Sequence, residues 1–289
     1  MKIGLYGRIS GMDNADKLKN LVNILRENAE ICIYHPFWVY LQEILDTNIP
    51  CEQFSSIKDI DKNLNCLLSA GGDGTFLEAA QFAIEHQIPI LGINFGRLGF
   101  LAQISANDME PALKGMFEHN YDIEKRSLIS VYNEKNEIFS SYALNEVTIQ
   151  RNNPTMLKTT VWINDELLSS YWSDGILVST PTGSTAYSLS VGGPVVLPDT
   201  QNFVITPISP HNLNIRPIII SDKSEISIEI TTRKGTAALS MDNKMFEILS
   251  NTKVKIKKSQ QVLNFMKLKD YNFFKTLRTK LNWGIDIRN

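Results

Sequence analysis

The sequence predicts an α/β, Rossmann-like N-terminal domain followed by a C-terminal β-rich, β-sandwich-like domain. Three observations carry this. Apolar runs and helix-periodic runs alternate over the first ~120 residues, the βαβ rhythm of a parallel sheet. One run, NCLLSA (65–70), is almost continuously apolar, as in a parallel strand covered on both faces. After HNYDIEKRSLISVY (119–132) the amphipathic helices stop, and short alternating runs between turn residues take over. The boundaries fall at 1–121 for the first domain and 122–269 for the second. Residues 270–289 are expected to return as a helix onto the first domain.

Each element follows from its pattern. KIGLYG (2–7) is a short apolar strand ending in glycine. Residues 14–28 carry Leu18, Leu21, Val22, Ile24 and Leu25 near helical spacing. AEICIYH (29–35) is the next strand. After strand 65–70, residues 75–87 place Phe76, Ala79, Ala80 and Ala83 on one helical stripe, and IPILGIN (88–94) is strand again. In the second domain 159–164, 224–231 and 252–258 are strands, with Ile226, Ile228 and Ile230 on one face. In the tail (271–283) Phe274, Leu277 and Leu281 lie one turn apart.

The chain has 289 residues, 43% hydrophobic and 21% charged, enough to bury a sizeable core. A net charge of −2 argues against nucleic acid as a main partner. No apolar run reaches the ~18–20 residues of a membrane span, and the N-terminus lacks a signal-peptide core. Cys32, Cys51 and Cys66 are odd in number and form no CxxC pair, which suits free thiols in a reducing cytoplasm. Neither they nor the four scattered histidines draw a metal cage.

Five stretches carry chemistry. Gly71-Gly72-Asp73-Gly74-Thr75 follows a buried strand and opens a helix, where free N–H groups favour anions and the glycines permit close approach. An acid there has a task that a plain phosphate loop does not. The loop is neither a Walker A motif nor a G-x-G-x-x-G fingerprint, and structural punctuation remains open. Gly92–Leu101 places Arg97 between glycines; taken alone it reads first as an ordinary βα loop, and otherwise as a second wall of the cleft that offers the face of Phe100 to a base. Asn145-Glu146, at the end of a β run, is either a surface turn or a pair that reads a purine edge and holds ribose hydroxyls. Between Ser173 and Pro194, hydroxyls crowd around a Pro-Thr-Gly turn flanked by two apolar strands, GILVS and VVL. That is a solvated loop or a bed of neutral hydrogen bonds. In TPISPHNLNIRP (206–217) the prolines mark bends, and His211 is a packed residue before it is a catalyst.

Together, GGDGT, GINFGRLGFL, ALNEVTI, SDGILVSTPTGSTAYSLSVGGP and TPISPHNLNIRP resemble the NAD kinase family in content, order and spacing, over nearly the whole chain. The resemblance implies phosphorylation of the 2′-hydroxyl of the adenosine ribose of NAD. The donor would be ATP, or another nucleoside triphosphate or polyphosphate, carrying Mg²⁺ or another divalent metal. It implies a cytoplasmic homodimer or homotetramer. By the same resemblance Asp73 matches the general base. Gly74, Phe100, Asn145, Glu146, Asp174, Thr182, Thr185, Ala186, Tyr187, Ser188, Leu189, Ser190 and Ser209 match the dinucleotide site, and Gly71, Gly72, Gly74 and Thr75 the phosphate loop. This chain departs from the family pattern at Glu78, Trp172 and Lys244, which affects how phosphates are neutralised. Two rivals are a GGDGT-type lipid kinase, which wants an acyl cavity, and a non-catalytic NAD(P) sensor, which would not need Asp73.

Overall fold

The computed structural model describes residues 1–8, 14–45, 49–96, 99–133, 135, 139, 142–233 and 235–284. The chain forms two compact units, Met1–Glu124 with Leu263–Asn289, and Lys125–Val262.

The first unit contains β1 (Lys2–Gly7), α1 (Ala15–Asn28), β2 (Glu30–Tyr34), α2 (His35–Leu45), β3 (Glu52–Phe54), β4 (Cys66–Ala70), α3 (Asp73–Glu85), β5 (Ile90–Asn94), β6 (Ile104–Ser105) and α4 (Met109–Phe117). The strands lie parallel in the order β3-β2-β1-β4-β5, with β6 beside β5. β4 and β5 are buried at every residue, as their unbroken apolar runs require. α1 buries Leu18, Leu21, Val22 and Leu25, the face set by its helical spacing. The expected strand through His35 ends at Tyr34, and α2 begins at once, because Pro36 has the fixed φ suited to a first helical turn.

This strand order has a functional consequence. From β1 the chain winds one way, to β2 and β3; from β4 it winds the other way, to β5. The order reverses between β1 and β4, and in such a sheet the usual ligand position lies beyond the carboxyl ends of the strands at that point. Gly7 and Ala70 are paired at that edge, so Arg8 and Gly71 leave the sheet side by side.

β7 (Tyr121–Tyr132) leads into the second unit. There follow β8 (Glu146–Arg151), β9 (Leu157–Ile163), β10 (Glu166–Ser173), β11 (Gly175–Ser179), a 3₁₀ turn (Thr182–Thr185), α5 (Tyr187–Ser190), β12 (Asn202–Ile208), β13 (Ile218–Ser221), β14 (Ile226–Thr231), β15 (Thr236–Met241), β16 (Lys244–Leu249) and β17 (Lys253–Leu268). Two antiparallel sheets form, β10-β9-β14-β17 and β13-β12-β11-β8-β15-β16. Val161, Ile226, Ile228, Ile230 and Val254 of one sheet share a core with Val147, Ile149, Ile176, Val178 and Phe203 of the other.

Three expectations are corrected. The strand expected at 252–258 runs on to Leu268; from Leu263 onward it belongs to the first unit, where Phe265 pairs with Ile90 of β5. VVL (195–197) is not a strand. It lies between Pro194 and Pro198, which limit strand pairing, and Val196 N–H donates to Ser184 Oγ at 3.0 Å instead. In α6 (Phe273–Leu281) Leu277 is buried but Phe274 is 52% exposed, so the packing face is narrower than the spacing implies. Asn272 caps α6, accepting from the N–H of Phe274 at 3.0 Å and of Lys275 at 3.3 Å. Residues 285–289 of the expected tail helix lie outside the described residues.

Candidate active site

In the first unit the site is built on the start of α3. Asp73 is its first residue, where unpaired N–H groups and the helix field favour a carboxylate. Gly71 and Gly72 form the link from β4. A Cβ on Gly72 or Gly74 would meet nothing within 4 Å, so the loop has open space beside it, while Thr75 is buried. The Asp73 carboxylate accepts three successive backbone N–H groups: Phe100 on Oδ2 at 2.9 Å, then Leu101 and Ala102 on Oδ1 at 3.1 and 2.9 Å. Those amides sit in an irregular segment and need an acceptor. Gly99 lets the segment lie flush, since a Cβ there would fall 2.6 Å from Asp73 Cγ. Arg97 and Leu98 lie outside the described residues.

Lys280 of α6 adds a cation. Its Nζ is 3.7 Å from Asp73 Oδ2 and 4.7 Å from the centroid of the Phe100 ring. Glu78 does not bring an unbalanced negative charge. It pairs with Arg8 at 2.7 Å and accepts from Tyr6 Oη at 3.1 Å. Burial, then the charge of Glu78, pushes the Tyr6 phenol well above its usual range and keeps it a donor.

In the second unit, Asn145-Glu146 opens β8 rather than ending a strand. The segment before it bends, and its N–H groups from Leu144, Asn145 and Glu146 all donate to Asp242, at 2.7, 2.9 and 3.1 Å. Asp242 occupies the turn between β15 and β16 at φ 49°, with Lys244 favouring its charge. The 180–185 turn then presses on the pair. Thr180 N–H donates to Asn145 O at 2.9 Å, and Thr180 Oγ1 to Leu144 O at 2.6 Å. Gly183 makes this possible, because a Cβ there would lie 2.6 Å from Asn145 Cα.

The hydroxyl-rich stretch is therefore not a solvated loop: Thr180, Thr182, Ser184 and Ser188 are buried. Among the described residues, Asn145 Oδ1, Glu146 Oε2, Thr182 Oγ1 and Ser188 Oγ are sealed from solvent without a hydrogen-bond partner. Such atoms are costly unless something binds them. Burial, reinforced by the neighbouring charge of Asp242, pushes the Glu146 carboxyl up to about 8, against one favourable N–H from Tyr187. Burial also raises Asp242, to about 6, opposed by its three N–H donors.

Asp174 and Ser209 lie at the other end of β11. Glu146 pairs with Ser179 and Gln150 with Gly175, a separation of about 13 Å at ~3.3 Å per residue. Asp174 forms a two-point ion pair with Arg151, at 2.9 and 3.2 Å. Its N–H donates to Ile208 O at 3.0 Å, beside Ser209, whose φ is 46°. Tyr187 spans the two ends: its Oη accepts from Gln150 Nε2 at 2.7 Å while its backbone serves Glu146. Thr185, Ala186 and Leu189 are half-buried and Ser190 is exposed. Trp172 is 48% exposed, and its carbonyl accepts from His211 N–H at 2.8 Å.

Sequence reasoning missed Lys280, Asp242, Arg151 and the Arg8–Glu78 pair. Only Asp242 carried a local signal, an Asp-Asn dipeptide between two alternating runs.

Residues 39–121 match the family model of the ATP-NAD kinase N-terminal domain, and residues 144–268 that of the C-terminal domain. A NAD kinase of Cytophaga hutchinsonii is 41% identical over 295 residues, and one of Christiangramia forsetii 38% over 294, each aligned over 100% of both chains. Yeast NADH kinase complexed with NADH superposes with a TM-score of 0.88 at 21% identity, covering 100% of this chain and 89% of that one. An NAD kinase from Archaeoglobus fulgidus in complex with ATP gives 0.74 at 24%, covering 98% and 99%. At those identities the solved structures speak for the fold, an α/β unit followed by a β-rich one. The full-length relatives and the two family models go further: this chain belongs to the NAD kinase family.

Proposed function

We propose that the protein transfers the terminal phosphoryl group of ATP to the 2′-hydroxyl of the adenosine ribose of NAD, giving NADP. The observation that carries this is the set of four sealed, unpartnered polar atoms on Asn145, Glu146, Thr182 and Ser188. They ask for a ligand rich in donors and acceptors, which suits a nucleoside and not an acyl chain. The full-length relatives are NAD kinases, which points the same way.

In this reading Asn145 reads the base edge, Glu146 takes ribose hydroxyls, and Thr182, Thr185, Ala186, Ser188, Leu189 and Ser190 line the nucleoside. Tyr187, Asp174 and Ser209 serve the rest of the dinucleotide, and Phe100 gives an aromatic face. Gly71, Gly72, Gly74 and Thr75 admit the phosphates. Asp73 orients the hydroxyl and takes its proton as the oxygen bonds to phosphorus and the bond to the departing ADP breaks. Among the described residues no three His, Cys, Asp or Glu gather as a metal cage. In this reading the divalent ion is part of the substrate, carried on the donor phosphates. A cytoplasmic homodimer or homotetramer completes the reading.

The test is to incubate the pure protein with NAD, Mg²⁺ and ATP or polyphosphate, and to look for NADP. Formation of NADP supports the reading; no product with any donor overturns it in favour of a sensor.

Glu146 gives a pH prediction. Its folded pKa lies above the ordinary 4.5, and that of Asp242 above 3.8, so the folded state holds extra protons. The stability these two groups contribute is full below those ordinary values and is lost as pH rises toward about 8. Glu146→Gln removes the larger part of this loss. It should be more stable than the parent at pH 8, by up to about 4 kcal/mol, since one pKa step is worth about 1.4 kcal/mol and the rise from 4.5 to about 8 spans about three of them. Ribose hydroxyls that donate to Glu146 favour its ionised form, so NAD affinity should rise between pH 6 and 8 in the parent and stay flat in the variant. Thermal melts and calorimetric titrations across that range check both.

A further inference from the structure

We propose that Lys280 is a further catalytic residue, the cation that meets the phosphoryl group during transfer. The inference rests on the kinase reading above. Lys280 Nζ lies 3.7 Å from Asp73 Oδ2, and Asp73 Oδ1 already accepts two backbone N–H groups. Among the described residues Oδ2 accepts only one, so it is the oxygen left for the substrate hydroxyl. The cation therefore stands beside the oxygen that takes the proton, steadied by the face of Phe100 at 4.7 Å.

The pair has little structural purpose. Both side chains are about one-third exposed, at 33% and 31%, and ion pairs of that exposure contribute little to stability. The chemistry does call for such a charge. The hydroxyl oxygen bonds to phosphorus, the bond from phosphorus to the departing nucleoside diphosphate breaks, and negative charge spreads over three phosphoryl oxygens. The proton goes to Asp73, which loses its own charge at that moment. Lys280 keeps its three protons, loses its partner, and is free to hold the phosphoryl oxygens. The GGDGT loop has no cation of its own, and the nearby Arg8 is already paired with Glu78. Before donor binds, the same lysine balances Asp73 and lessens its repulsion of phosphate.

The test compares Lys280→Gln and Lys280→Arg with the parent in NADP formation, together with calorimetric Kd values for Mg-ATP and for NAD. Lys280→Gln should lose about 10²-fold in kcat, the scale of removing one preorganised charge donor. It should bind Mg-ATP more weakly, and its KM for NAD should stay near the parent's. Lys280→Arg, which keeps the charge, should recover much of the loss. A Lys280→Gln enzyme with the parent's kcat overturns the proposal. So does a loss that Lys280→Arg does not relieve and that comes with a lowered melting temperature. If the parent itself makes no NADP, the kinase reading fails separately. The Mg-ATP titration still decides on Lys280, since equal affinity in parent and Lys280→Gln overturns its contact with the donor.

Discussion

Gly183→Ala should destabilise the second unit by about 3 kcal/mol, the upper part of the range for forcing an extra methyl into a packed site. The clash is with backbone, not with a flexible side chain: the added Cβ falls within 2.6 Å of Asn145 Cα and overlaps the Asn145 carbonyl. Neither side can yield cheaply. The Asn145 segment is held by three N–H bonds to Asp242 and by two bonds with Thr180. The 182–185 turn is fixed by Ser184, whose Oγ donates to Pro181 O at 2.7 Å. Relief requires the turn to move off the Asn-Glu pair, which separates the polar atoms of Thr182 and Ser188 from those of Asn145 and Glu146. NAD affinity should therefore fall together with melting temperature. Calorimetric titration and a thermal melt check this, and unchanged values for both would remove Gly183 from the construction of the site.

The legible parts of the fold were those with one-dimensional signatures. The unbroken apolar run at 65–70 and the stripe at 76–83 give β4 and α3 because burial on both faces, or on one helical face, leaves its period in the sequence. Asp73 stood out because an acid among glycines at a strand end is chemically odd. The supports of the site left no such trace. Nothing near residue 73 predicts that its carboxylate ties down the amides of 100–102, or that a lysine from the last helix reaches it. Asp242 has the same hidden role toward 144–146. These contacts join residues remote along the chain, so periodicity and spacing do not encode them. The misjudged hydroxyl stretch has a related cause. Serine and threonine read as loop formers, but here their hydroxyls bond the buried backbone, as Ser184 does locally with Pro181 and at longer range with Val196.

Asp73→Asn is expected to remain folded, bind NAD, and lose turnover by at least ~10²-fold, the lower end of what a general base contributes. The structure adds a second effect. An amide keeps one oxygen for Leu101 and Ala102 N–H, but its NH₂ then faces the N–H of Phe100, leaving that donor unmet. This should cost about 1–3 kcal/mol of stability. A purely structural aspartate would show that loss too, so melting temperature alone does not identify the base. The deciding measurement takes one preparation of Asp73→Asn and records its NAD Kd and its single-turnover rate of NADP formation from Mg-ATP. The NAD Kd should stay near the parent's while the rate falls at least ~10²-fold. A rate within a few-fold of the parent's, or a loss explained wholly by NAD no longer binding, would contradict it.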